Sequence, residues 1–424
     1  MKGARELVLV AAGLLAAAAS ASADDHGLVW HAETLGGDVL SSHLGDRPVN
    51  PASVTKIATS LFAIETLGAD HRYDTGFALG GSLDPATGVL HGDLVVRGGG
   101  DPDFQFENAL LVAWRLNELG VRDVEGDLVV DDSFWIGWEH GSEMREPDPA
   151  KRRNEMGERL RRAFDPRRWD ANSKESWRGW QERDPSLAPE PPRLSIAGRV
   201  RARTTGNEPP TLVHRSNPLR TILKRFLTYS NNDIERVADP LGGAPALESY
   251  LRKRFALAAD ELRISTTSGL GINRFAPATI VRILHAFRER IAQAGLQPGD
   301  LLPVPGCDPG SLVHALPHWQ SGARAGAMAS KTGTLIHDDG GVAALAGFVY
   351  GESGTVVYMV AAPRSGSRIR QAQQDIETWV NEIVARVSGP APRPCGAPVE
   401  PAEAEAEILA SGPEVAPRHA ASPS

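Results

Sequence analysis

Lysine is scarce in this chain. Only seven of its 45 basic residues are lysines and the other 38 are arginines, so a lysine in a special setting stands out. Cysteine is scarcer still, with Cys307 and Cys395 the only two. A disulfide framework is thereby excluded, one bridge stays compatible with the count, and the fold must rest on an apolar core. Positive charge is nowhere concentrated: the net charge is −8 at pH 7 and the pI about 5.9. Nucleic acid is therefore not the expected partner, because phosphate binding needs a concentrated basic surface. A small molecule or an uncharged polymer fits better. Long apolar runs are also missing, apart from Leu7 to Ala19 near the N-terminus, which is short for a bilayer span. Lys2 and Arg5 precede that run and Ala21-Ser22-Ala23 follows it, the layout of a secretory signal peptide over 1–23, with Asp24 as the expected first mature residue. An uncleaved anchor is the alternative. The reading is an exported protein without a stable membrane span after signal cleavage.

At 424 residues and 41% hydrophobic content, the chain is long enough for two domains, or for one large domain with an insertion. GLVWHAETLGGDVLSSHL predicts a hairpin around Gly36-Gly37. From Ser53 to Leu67, apolar residues at Val54, Ile57, Ala58, Leu61 and Ile64 predict a buried helix that Gly68 stops. GDLVV occurs at Gly92 to Val96 and again at Gly126 to Val130, with a helical ENALLVAWRLNELG between them, which predicts a small strand–helix–strand unit. From Glu139 to about Pro189 the chain is dense in Arg, Pro and Trp, and loops with an exposed helix are expected. Regular patterning returns after 210, with helices over PLRTILKRFLTY and PATIVRILHAFRERI, a hairpin in GVAALAGFVYGESGTVVYMVAAP and a helix over 367–387. The composition after Ser388 predicts a disordered tail over 388–424 whose removal leaves activity intact. The simplest architecture is one α/β domain built from 24–66 and 206–387, with a smaller α/β domain inserted over 67–205.

Within that frame three short motifs carry chemistry. A serine hydroxyl is a poor nucleophile until a base takes its proton. Ser53 and Lys56 lie three apart at a helix start, so they share a face, and a neutral amine there can be that base. Arginine cannot, because its guanidinium stays protonated. An isolated S-x-x-K is equally an ordinary capped helix start. Here it is followed by Ser230-Asn231-Asn232 after a helix, and by Ser330-Lys331-Thr332-Gly333-Thr334 at the start of a strand. Ser230 could relay a proton to a leaving group while Asn232 contacts Lys56 and a substrate amide; Tyr229-Ser230-Asn231 is an alternative register. Lys331 and Thr332 could hold a substrate carboxylate, with backbone N–H groups facing a developing oxyanion near Gly333 and Thr334.

The ordered set S-x-x-K, S-x-N, K-T-G resembles that of the penicillin-recognising serine acyltransferases. The flanking text is similar to the D-alanyl-D-alanine carboxypeptidase/endopeptidase family typified by penicillin-binding protein 4, in the low-molecular-mass class C. The matches are RPVNPASVTK, GDLVVRGGGDP, EGDLVVDDSFW, HRSNPLRTILKRFLTYSNN, TSGLGINRF, LLPVPGCDPGSL and SKTGTL with ALAGFV, across about residues 40 to 350. The resemblance implies a β-lactamase/transpeptidase-like α+β domain carrying an inserted domain, acting without a cofactor or metal on peptidoglycan stem peptides in the periplasm, with β-lactams as inhibitors. It implies Ser53 as nucleophile, Lys56 as base, Ser230 and Asn232 as proton relay, and Lys331, Thr332, Gly333 and Thr334 as substrate contacts. The backbone N–H groups of Ser53 and Thr334 would form the oxyanion hole.

The sequence also departs from the family pattern. Asn231 stands where Asp is usual, and the family's D-G-S-G-L-S reads Thr266-Thr267-Ser268-Gly269-Leu270-Gly271. The arginine-rich 139–190 replaces a normally longer region, so a reduced insertion is expected. A serine β-lactamase of the same fold is one rival reading; the only Leu-Asn, Leu116-Asn117, is preceded by Ala113 rather than the glutamate of a class A enzyme. A catalytically weak wall-binding scaffold is another, against which the intact motif set argues and for which the shortened insertion argues mildly. His314 and His318 have helical spacing but no third ligand nearby, His337-Asp338-Asp339 reads as a solvated loop, and Gly98 to Pro102 as a tight turn.

Overall fold

The computed structural model describes residues 27–183, 190–202, 209–396 and 405–409. The segment read as a signal peptide lies outside them. The chain runs through β1 (Val29–Thr34), β2 (Val39–His43), α1 (Thr55–Leu67), β3 (Asp74–Asp84), β4 (Val89–Arg97), α2 (Phe106–Glu118), β5 (Asp123–Val124) and β6 (Leu128–Val130). Next come α3 (Pro149–Phe164), α4 (Ala171–Arg183), β7 (Ser195–Ile196), β8 (Val200–Ala202), β9 (Leu212–Arg215), α5 (Leu219–Thr228), α6 (Glu235–Ala238) and α7 (Gly243–Phe255). The remainder holds β10 (Leu262–Arg263), β11 (Arg274–Phe275), α8 (Pro277–Ala292), α9 (Ser311–Ala315), β12 (Met328–Leu335), β13 (Val342–Gly351), β14 (Gly354–Pro363), α10 (Ile369–Ala385) and β15 (Glu405–Ile408).

The two predicted hairpins join in one antiparallel sheet of order β12-β13-β14-β1-β2, so the two ends of the chain meet where Val29 lies opposite Ala361. Side chains alternate across a strand. Val357, Met359 and Ala361 of β14 pack in the core that α1, α5 and α8 share, while Val356, Tyr358 and Val360 pack with Ile376, Trp379, Val380 and Ile383 of α10. Burial on both faces explains why β13 and β14 read as unbroken apolar runs instead of alternating ones.

A second sheet runs β15-β9-β3-β4-β5-β7, with β6 beside β4 and β8 beside β6. The two GDLVV copies fall in β4 and β6 and pair in parallel, Leu94 opposite Leu128, with α2 as the crossover. Its own core includes Phe77, Leu94, Leu116, Leu128, Leu160 and Phe164.

Three expectations about this part are revised. The expected boundary at 205 falls short of the sheet, because β9 pairs with β3 through Arg215. The charged stretch after Glu139 contains more than loops and one exposed helix. Helix α3 buries Met156, Gly157, Leu160, Ala163 and Phe164, a stripe diluted by the arginines around it, and α4 buries Trp177. The tail is also anchored. Cys395 is disulfide-bonded to Cys307, the Arg393 guanidinium lies 4.0 Å from the Tyr350 ring centroid, and β15 adds to β9 as an edge strand with Ala406 buried. The alternation E-A-E-I is a strand pattern hidden in a Glu- and Ala-rich composition.

Removal of the tail should therefore matter. The bridge closes a separation of 88 residues, which on the chain-entropy account stabilises by on the order of 4 kcal/mol. Cys395→Ala and truncation after Ser388 are both expected to lower the thermal midpoint by about 5 °C or more. The truncation should cost more, since it also uncovers the β9 edge. Equal midpoints for wild type and Cys395→Ala would show that the bridge does not stabilise the fold.

Candidate active site

The site begins on a short turn. Ala52–Val54 forms a single 3-10 turn ahead of α1, entered through Ala52 at φ 49°, a left-handed conformation that a non-glycine residue holds only under constraint. Asn50 supplies it: its Oδ1 accepts from the Ala52 N–H at 3.1 Å and its Nδ2 donates to Gly271 O at 2.9 Å. Ser53 is thereby placed at the mouth of α1, and Lys56 one turn inside it, fully buried. The Lys56 Nζ lies 2.8 Å from Ser53 Oγ, 2.8 Å from Asn232 Oδ1 and 2.6 Å from the Ser268 carbonyl.

Burial lowers the Lys56 amine to about 7, with the Glu235 carboxylate acting in the opposite, raising direction. Lys331 is likewise held well below the ordinary lysine range, by burial first and by the charge of Lys56 second. Lys56 therefore has a populated neutral form near neutral pH. A neutral amine has two N–H donors and one lone pair. Asn232 Oδ1 and the Ser268 carbonyl can only accept, so they take the two N–H bonds, and the lone pair is left facing Ser53 Oγ. In that state the serine hydroxyl donates to the amine.

The second motif follows α5. Ser230 sits at φ 55° and its Oγ accepts from Lys331 Nζ at 2.9 Å. Asn231 Oδ1 is engaged locally, accepting from the Asp233 N–H at 2.8 Å, and Asn232 reaches Lys56. In the alternative register the tyrosine would be functional, but Tyr229 is 44% exposed and packs on Trp138, with ring centroids 5.9 Å apart. Contacts with the two lysines are thus made by Ser230 and Asn232.

The third motif lies on β12, an edge strand of the first sheet. Lys331 is fully buried and its Nζ also donates to Thr332 O at 2.8 Å; Thr332 Oγ1 donates to Ser311 Oγ at 2.8 Å. Gly333 is required by close approach, since a Cβ there would lie 2.3 Å from Pro51 O. That contact lays β12 along the serine turn and brings Thr334 beside it. Hydrogen bonds thus link Ser53 of the serine turn with Lys56 of α1 and Asn232, and Ser230 with Lys331 and Thr332 of β12, while Gly333 packs on the serine turn and Thr334 follows it with an exposed side chain.

Sequence reading did not single out several groups that build the cleft. Ser268 lies in the TSGLG segment, where only the motif resemblance marked it. Ser311 lies likewise in LLPVPGCDPGSL, while Glu235 and Asp233 carry no pattern of their own. The loop 139–142 also meets the cleft, its backbone N–H groups held by Asp233 and Glu235. Of the weaker signals, His318 pairs with Glu377 at 3.0 Å. Asp339 is not merely solvated, since it pairs with Arg274 at 2.7 Å. Asp101, in the Gly98 to Pro102 turn, is buried, and burial raises its carboxyl to about 7.

The fold is that of the penicillin-binding proteins. The model of the D-Ala-D-Ala carboxypeptidase 3 (S13) family matches residues 16–152 and 194–383, and the chain belongs to that family. It is 37% identical over 103 residues to the D-alanyl-D-alanine carboxypeptidase of an Actinomadura species, and 27% identical over 103 residues to D-alanyl-D-alanine carboxypeptidase DacB of Haemophilus influenzae. Each match covers 24% of this chain and about a fifth of the relative, 19% and 21%. Among solved structures, the Bd3459 predatory endopeptidase of Bdellovibrio bacteriovorus, in complex with immunity protein Bd3460, is similar at a TM-score of 0.75 and 19% identity, over 88% of this chain and 96% of that one. Penicillin binding protein 4 (dacB) of Haemophilus influenzae is similar at 0.60 and 17% identity, over 84% and 96%. At such identities the likeness is one of fold.

Proposed function

We propose that this chain is an exported, periplasmic serine-type D-Ala-D-Ala carboxypeptidase that cleaves peptidoglycan stem peptides through an acyl-enzyme on Ser53, with DD-endopeptidase action on cross-linked peptides as a second use of the same cleft. The observation that carries the reading is the set of three Lys56 contacts, which turns the lone pair of a neutral amine onto Ser53 Oγ. Ser53 Oγ attacks the carbonyl of the penultimate D-Ala as its proton passes to Lys56. The oxyanion is met by the backbone N–H groups of Ser53 and Thr334. Lys331 and Thr332 hold the terminal carboxylate, and Ser230, already hydrogen-bonded to Lys331, gives its proton to the departing amine and is reprotonated by the one Lys56 took from Ser53, which leaves Lys56 neutral and held by Asn232. Water then adds to the ester as its proton passes to the neutral Lys56, and collapse of the second tetrahedral intermediate returns that proton to Ser53 Oγ and releases the shortened peptide as its carboxylate. No cofactor enters this route. Family membership supports the substrate class, and no helix among the described residues is long and apolar enough to cross a membrane.

A β-lactam presents a carboxylate and a strained amide to the same groups, and Bd3459, a protein of the same fold, is acylated by penicillin G. The leaving amine of a β-lactam stays tethered, so slow release is expected here. Peptide mapping after incubation with labelled penicillin should place the added mass on the peptide containing Ser53, and Ser53→Ala should take no label. Label on another serine would overturn the reading. Release within seconds would favour the β-lactamase, and no label at all the inert scaffold.

A further inference from the structure

Glu235 is buried at the start of α6, and its two carboxylate oxygens go to two different parts of the chain. Oε1 accepts from Ser268 Oγ at 2.6 Å, and Oε2 from the Ser142 N–H at 2.7 Å. The carbonyl of that same Ser268 takes the shortest of the Lys56 contacts, 2.6 Å. A carboxylate thus stands one residue behind the amine, reaching it through Ser268.

The other charged groups around this point are accounted for. Lys331, from β12, is directed to Ser230 and Thr332. Asp233, on the turn before α6, lies 3.9 Å from Arg236, which pairs with Glu139 of the loop at 2.9 Å. Beyond them, Asp239 pairs with Arg145. Glu235 differs in that both of its hydrogen bonds come from neutral donors, a hydroxyl and an amide. Its charge is not cancelled by a contact, and in a water-poor interior such a charge acts at close range.

We propose that Glu235 is a positioning residue for acylation: its hydrogen bond to Ser268 sets the carbonyl that holds Lys56, and its charge sets how readily Lys56 gives up its proton. The inference rests on the reading of Lys56 as the base. Burial alone would favour the neutral amine, and Glu235 works against it, keeping the amine protonated to a higher pH. Lys56 accepts the serine proton only when neutral, so acylation should rise with pH through about 7. Removing the charge of Glu235 should move that rise to lower pH.

The test is the second-order rate of acylation by fluorescent penicillin, measured on the full chain from about pH 5 to 9. Glu235→Gln keeps the size and one accepting oxygen. Its acid limb is expected about one pH unit lower, giving roughly tenfold faster acylation than wild type on the acid side. Glu235→Asp retains the charge and should keep the limb where wild type has it. A Gln variant whose limb coincides with a wild-type limb near 7 would overturn the proposal and leave Lys56 as base. A wild type without that limb, together with normal acylation by Lys56→Arg, would overturn the reading of Lys56 and this inference with it. Should Glu235→Gln not fold, Ser268→Ala decides: it removes the hydrogen bond but not the charge, so a lower plateau rate is expected, and a wild-type profile would overturn the proposal.

Discussion

Lys56→Arg is expected to lose acylation of Ser53 by about 10²–10⁴-fold at every pH at which the protein stays folded, although it keeps the positive charge. The amine lies in a site with no solvent exposure and three oxygen neighbours within 2.8 Å. A lysine there can release its proton, since burial has brought it to about 7; a guanidinium cannot do so at any working pH. The substituted side chain would donate to Asn232 and Ser268 and also toward Ser53, leaving the hydroxyl without an acceptor for its proton. Stopped-flow or gel-based acylation with fluorescent penicillin reads the rate, and far-UV circular dichroism with a thermal melt checks that the variant is folded. Normal acylation by a folded Lys56→Arg would remove Lys56 from the role of base. A loss confined to low pH would mean that another group takes the proton once it is neutral.

The same contacts explain how much of the site was legible beforehand. Ser53 and Lys56 are three apart and share a helix face by geometry alone, and Ser230 with Asn232, and Lys331 with Thr334, are similarly local sets. Each is short enough for its spacing to carry meaning. The fold was legible where the pattern was clean, as unbroken apolar runs in β13 and β14 and as helical stripes in α8 and α10. It was not legible where charge diluted the pattern, as in α3, or where four residues of strand lay in a tail, as in β15. The supporting groups were hidden for a different reason. Glu235 matters because of Ser268, 33 positions away, and Ser142, 93 positions away. Nothing local distinguishes it from any acidic residue near a helix start, so only the fold brings its partners together. The disulfide was open to suspicion from the count of two cysteines, but the tail's second attachment on β9 was not.

Asp233→Ala should have the largest effect on stability of any substitution near the cleft. Asp233 is fully buried between two parts of the chain. Its Oδ2 accepts from the Glu139 N–H at 2.6 Å and the His140 N–H at 3.3 Å, and its Oδ1 from the Gly141 N–H at 2.9 Å, with Arg236 at 3.9 Å. Removing it strands three backbone donors and leaves Arg236 with Glu139 as its remaining close carboxylate. Buried donors without partners are costly, and breaking a buried charge pair from one side costs about 3–5 kcal/mol. The damage should reach the chemistry as well. Loop 139–142 is pressed on Asn232, where a Cβ on Gly141 would come within 2.6 Å of Asn232 Cβ, so a loosened loop frees the side chain that holds Lys56. Chemical unfolding should show a reduced midpoint for Asp233→Ala and an intermediate one for Asp233→Asn, which retains one accepting oxygen and no charge. In the folded fraction, penicillin should acylate the Ala variant more slowly than wild type. Should the Ala variant keep the wild-type midpoint, loop 139–142 is held by other contacts and the carboxylate does not brace the site.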